Sequence, residues 1–128
     1  MSVKTFANIQ AILVAYLSTL PGASGVATKT GTLSASGMPF IRVQRIGGAD
    51  DWFNDDSRVD IDVFAVDEVT AQQMAESVRT AMIGMSGHDF SGRTIDHVET
   101  TLAPIWVDYQ NELVQRYVAS YTVTSRLA

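Results

Sequence analysis

His88 and His97 are the only imidazoles in this 128-residue chain. His88 and Asp89 are adjacent and could form an imidazole–carboxylate pair, with Ser86 or Ser91 as a nucleophilic hydroxyl. The four sit in one stretch punctuated by Gly84, Gly87 and Gly92. Neighbours in such a stretch rarely converge on a formed pocket, and no Gly-x-Ser-x-Gly elbow is present. The stretch therefore reads as a solvated turn. The acids offer a second chemistry. Asp50, Asp51, Asn54, Asp55 and Asp56 could supply oxygen ligands to a hard cation. A calcium loop needs ligands at its positions 1, 3 and 5 and a glycine at 6. Counting from Asp51 puts Phe53 at 3 and Asp56 at 6, and counting from Asn54 puts Arg58 at 5, so neither register fits. Asp60 and Asp62 project from one face of a strand, about 7 Å apart. That separation overlaps glycosidase carboxylate spacings, but nothing else suggests a sugar cleft. Gly47-Gly48 precedes no helix, and no Gly-Lys-Ser/Thr occurs, so a phosphate-binding loop is not indicated. No catalytic, cofactor-binding or metal-binding residue is assigned.

Composition narrows the classes further. There are no cysteines, which excludes disulfides, thiolate metal sites and cysteine nucleophiles. Apolar residues make up 46% and charged residues 18%, a globular composition. The length suits one domain, residues 1–128, with a core that needs no covalent staples. No apolar run approaches the roughly 20 residues that cross a bilayer, and the N-terminus does not read as a signal peptide. The formal net charge is −5. Residues 50–68 hold Asp50, Asp51, Asp55, Asp56, Asp60, Asp62, Asp67 and Glu68 against Arg58, a local charge of −7. No basic cluster exists elsewhere, so a grip on nucleic-acid phosphates is not expected.

Periodicity predicts the elements that must position these groups. Phe6, Ile9, Leu13, Tyr16, Leu17 and Leu20 make one stripe, predicting a helix over about 3–20 that ends at Pro21-Gly22. Residues 22–37 are Gly- and Ser-rich, with a weak strand near 26–33. Phe40–Ile46 and Arg58–Ala65 alternate as strands. Val59, Ile61, Val63 and Ala65 share one face of the second strand, and Asp60, Asp62 and Phe64 share the other. Gly47-Gly48 is expected to break the first. A second helix is predicted over about 67–83, capped by Asp67, with Ala71, Met74, Ala75, Val78, Ala81, Met82 and Met85 inward. Strands are predicted at 94–102, 105–109 and 113–126, separated by Pro104 and by a turn at Gln110–Glu112. The order is α-β-β-β-α-β-β-β. It predicts an α+β domain: a mainly antiparallel or mixed sheet with two helices packed on one face.

Between the first two strong strands lies a loop, 47–57, both acidic and aromatic. Gly47, Gly48, Asp50, Asp51, Trp52, Phe53, Asp55 and Asp56 are the candidate contact residues. Aromatics in such loops bury much area with few rotors to freeze, which makes them interface anchors. Trp52 could equally fold back over its own sheet edge, and Trp106 is expected in the core.

With these elements laid out, the chain resembles the tail terminator (tail completion) proteins of long-tailed siphophages, actinobacteriophage type. The resemblance rests on the N-terminal helix, the phrase Pro39-Phe40-Ile41-Arg42-Val43-Gln44-Arg45-Ile46-Gly47-Gly48 and the strand Val59–Ala65. It also rests on the Ala-rich helix, Pro104-Ile105-Trp106 and the closing strand Arg116–Val123. It implies a non-enzymatic virion protein assembled in the host cytoplasm. Such proteins form a homo-hexameric ring on the head-proximal end of the tail. The implied partners are the protein itself, the tail tube protein and a head-closure or connector protein. DNA would pass through the lumen without specific binding, and no membrane is involved. An acidic lumen would keep DNA from adhering, and Asp60 and Asp62 are candidates for such a DNA-repelling face. A head-closure or other connector component is the alternative within this class. A small ligand-binding or hydrolytic domain using the acidic face is the alternative outside it.

Overall fold

The computed structural model describes residues 5–126. The first helix, α1, spans Ile9–Leu17. It is shorter than its apolar stripe predicts because local side chains claim its ends. The Asn8 side chain accepts the Ala11 N–H as an N-cap. Ser18 and Thr19 hydroxyls donate back to the carbonyls of Val14 and Tyr16 at 2.6 and 2.7 Å, which competes with further helical turns. Phe6 therefore precedes the helix and is half-exposed, and the predicted start at Val3 lies outside the described residues.

The strands are β1 (Gly25–Ala27), β2 (Phe40–Asp50), β3 (Asn54–Ala65), β4 (His88–Phe90), β5 (Arg93–Trp106) and β6 (Gln115–Arg126); α2 (Glu68–Gly84) joins β3 to β4. They form one six-stranded sheet in the order β1-β2-β3-β6-β5-β4. Only β1–β2 is parallel. The expected element order and fold class hold, while two boundaries in the last third differ. His88-Asp89, expected in a turn, pairs with Ile95 and Thr94 as β4. Pro104 does not end its strand: β5 runs through it, with the register shifting between Leu102 and Ile105. β4 covers β5 only at residues 93–95, so Pro104 lies beside an uncovered edge, where its missing N–H leaves no ladder bond unmade.

Both helices pack on the same face. Ile9, Leu13 and Leu17 of α1 and Ala71, Ala75, Val78 and Met82 of α2 join Ile41, Val43, Val59, Ile61, Val63, Tyr121 and Val123 in one buried cluster. The small alanines let α2 approach the sheet closely, and the Tyr16 hydroxyl donates to the Ala81 carbonyl at 3.1 Å, tying the helices together. Asp67 caps α2 by accepting the Thr70 N–H at 2.8 Å. The opposite face is covered at one end. Phe64 is fully buried there, edge-to-face with Tyr109 at 5.3 Å.

The Tyr121 hydroxyl is buried against α2 and has no hydrogen-bond partner among the described residues. Burial pushes its ionisation up to about 12. Tyr121→Phe should leave stability unchanged or raise it by about 1 kcal/mol, because an unpaired buried hydroxyl carries a desolvation cost. Denaturant unfolding checks this, and a loss above about 1 kcal/mol would show that the hydroxyl has a partner.

Candidate assembly interface

The segment expected as an open loop is mostly strand. β2 and β3 stay paired as far as Asp50 and Asp55, and Gly47 and Gly48 pair with Arg58 and Ser57. The glycines do not break β2. They absorb a bulge between Arg45 and Gly47 at φ of +132° and +128°, backbone that glycine adopts at little cost. At Gly48 a Cβ would stand 1.9 Å from the Asp56 carbonyl oxygen, so the strands pass too close there for a side chain.

Only the tip turns. The Asp51 N–H donates to the Asn54 carbonyl at 2.9 Å. The Asp51 carboxylate accepts the N–H groups of Phe53 and Asn54, both at 2.7 Å. The side chain thus mimics a backbone turn and leaves Trp52 and Phe53 at the apex. Trp52 is 87% exposed and Phe53 75%, so Trp52 does not fold back over the sheet. Phe6, Asp50, Asp51 and Trp52 line an open hollow of about 410 Å³ beside the tip.

Those two N–H bonds, the Phe53 one first, hold the Asp51 carboxyl below the ordinary aspartate value of 3.8. Asp67 is lowered in the same way, first by the Thr70 N–H and then by the Thr70 hydroxyl. A carboxyl depressed in the folded state stabilises it above the unfolded value and loses that contribution as pH falls through the folded one. Melting temperature should therefore stay flat from neutral pH to about 5 and decline below about 4. Asp51→Ala should flatten part of that decline, and an unchanged acid limb would sink the assignment.

The remaining acids divide sharply. Asp50, Asp51 and Asp56 are exposed. Asp55 is 2% exposed and grips the Arg45 guanidinium through both oxygens at 2.9 Å, while the Ser57 hydroxyl donates to it at 3.0 Å. The expected contact set thus contains one residue, Asp55, that holds the hairpin together from inside just behind its tip. Asp60 and Asp62, expected on an acidic face, are both engaged by other side chains. Asp62 is 3% exposed, in ion-pair contact with Arg42 and, at 3.1 Å, with Arg116. Asp60 accepts the Ser120 hydroxyl at 2.6 Å. At Asp62 one carboxylate meets two guanidiniums, so this part of the sheet is not a bare negative surface. The pairing follows from register, which sets Arg42 opposite Asp62 and Ser120 opposite Asp60.

Trp106, expected in the core, is half-exposed, with its indole N–H donating to the Gln115 side chain at 3.0 Å. Sequence reasoning also missed a groove between α1 and β1. It is about 500 Å³ and lined by Asn8, Gln10, Ala11, Val14, Ala15, Val26, Ala27 and Thr28. The alanines at 11 and 15, off the buried stripe, were the available signal. Among the described residues, no three His, Asp or Glu side chains are grouped to hold a metal ion. No described helix is long and apolar enough to cross a membrane.

No protein-family model matches the chain, and no curated protein matches it. Its fold is similar to that of a chain in the solved structure described as "Virion of native gene transfer agent (GTA) particle". The TM-score is 0.71 at 15% sequence identity, with 92% of this chain and 94% of that chain covered.

Proposed function

We propose that this protein is a virion structural component that acts as a tail terminator. In this reading it forms a hexameric ring on the head-proximal end of a phage tail tube, stops tube polymerisation and joins the tube to the head connector. The observation that carries the reading is the fold shared, over nearly the whole of both chains, with a chain of a gene transfer agent virion. The sequence resemblance to tail terminators gives the finer role. The geometry supports a contact protein: among the described residues the most exposed large apolar side chains, Trp52, Leu113 and Phe53, stand on turns. The carboxylate pair that an acid–base reaction would need is engaged, Asp62 by two arginines and Asp60 by Ser120. DNA transit through the ring then rests on six copies of the net −5 charge, not on Asp60 and Asp62 as a bare face.

Negative-stain imaging of the purified protein with and without tail tubes tests the role. Rings at tube ends and tubes of limited length are expected. Monomers under both conditions, with tubes that keep growing, would overturn it. Trp52→Ala should lower ring assembly at least tenfold while stability stays within about 1 kcal/mol, because an exposed anchor contributes to binding and little to folding. A large stability loss would show instead that the tip packs within the monomer.

A further inference from the structure

We infer that the Trp52–Phe53 tip of one copy docks into the α1–β1 groove of the next. The inference rests on the ring reading above and names its subunit contact. The groove is walled by Ala11, Val14, Ala15, Val26 and Ala27, and none of its eight lining residues is charged. Its volume, about 500 Å³, suits the two aromatic side chains together. Lys29 follows the last lining residue in the chain and is exposed. The tip brings the matching sign, with exposed Asp50 and Asp51 beside the aromatics and Asp56 behind them. Apolar surface thus meets apolar surface, and acids meet a base at the rim, the arrangement that orients a protein contact.

The two surfaces are different patches of the monomer: the tip is the turn after β2, and the groove runs between α1 and β1, starting at Asn8, two residues after the Phe6 that lines the hollow beside Trp52. A tip on one patch and a groove on another make a head-to-tail contact, which closes into a ring when the rotation between copies allows it.

Two variants at exposed positions separate the halves. Trp52→Ala removes the tip, and Ala15→Glu puts a carboxylate into the groove where the incoming acids arrive. Neither variant alone should form rings. Mixed one to one, the intact tip of Ala15→Glu enters the intact groove of Trp52→Ala. Association then stops at a heterodimer, twice the 13.9 kDa chain, because its free tip and free groove are both disabled. Light scattering reads the mass. Concentration-dependent shifts of the Trp52 indole and the Ala11 and Val14 amides in NMR read the contact up to millimolar protein. Unfolding curves confirm that both variants fold. Lys29→Glu should weaken the heterodimer about tenfold, and Asp50→Lys on the tip-bearing chain should recover most of that loss. Rings that form normally in either single variant would overturn the docking and leave the ring reading standing. A heterodimer without rings on tubes for the unmodified protein would uphold the docking and overturn the ring reading. No heterodimer and no NMR shift, with Trp52→Ala abolishing attachment to tubes, would assign the tip to the tube protein and overturn the proposal.

Discussion

Asp62→Ala should destabilise the domain by about 3 kcal/mol, toward the lower end for a broken buried ion pair, because both arginines keep some solvent. The side chain is 4% exposed, between Arg42 and Arg116 at 24% and 25%. Removing it leaves two guanidiniums converging on an empty acceptor position. The Nε atoms of both arginines are already buried without a hydrogen-bond partner among the described residues, so loss of the carboxylate adds to groups that are already unsatisfied. Phe64 feels the change too, since the Arg42 guanidinium lies 5.5 Å from its ring centroid. The triple variant Arg42→Met, Asp62→Leu, Arg116→Met should lie close to the parent, because removing all the charges together removes the desolvation cost with the attraction. Urea unfolding of both variants makes the comparison. A loss under about 1 kcal/mol for Asp62→Ala would show that water screens the cluster as it screens a surface pair.

The second large effect is expected at Gly48. Gly48→Ala should cost about 3 kcal/mol or more, combining strained backbone with a steric clash. Its φ is +128°, and the new Cβ would fall 1.9 Å from the Asp56 carbonyl oxygen and 3.0 Å from its carbon. Both atoms are backbone, so relief requires β2 and β3 to separate rather than a side chain to rotate. Gly47→Ala is the internal comparison. Gly47 has φ +132°, and a Cβ there meets nothing within 4 Å, so only the strain remains, about 1–3 kcal/mol. The excess of the Gly48 variant over the Gly47 variant isolates the close approach, and equal losses would refute it. Because Gly48 sits in the ladder just two residue pairs before its end at Asp50 and Asp55, its replacement should also disturb the orientation of Trp52 and lower assembly more than its stability loss alone explains.

Much of this fold is legible in residue patterns. Of the predicted stripe, Ala71, Met74, Ala75, Val78, Met82 and Met85 are buried and Ala81 is partly buried against them, and the alternation Val59, Ile61, Val63, Ala65 is buried throughout. Tyr117, Ala119, Tyr121 and Val123 likewise face the core. These are local periodicities, and burial of one face of a helix or strand follows them directly. The exposed Trp52 and Phe53 were legible only as one of two options, since an aromatic in a turn has no periodicity to say which way it faces.

The stretch from Gly47 onward shows where local reading stops. That it alternates, carries a Gly-Gly pair and puts aromatics among aspartates was determined by sequence alone, as were the fold class and element order. Tertiary structure decided what each acid does. Ladder bonds to Arg58 and Ser57 outweighed the local tendency of Gly47-Gly48 to end a strand. They brought Arg45 onto Asp55, and register brought Arg42 and Arg116 onto Asp62. A carboxylate's partner is set by strands distant in sequence, and a one-residue shift would place it on the other face of the sheet. For that reason the negative charge available for contact lies at the hairpin tip beside Trp52, while the acids deeper in the strand hold the sheet together.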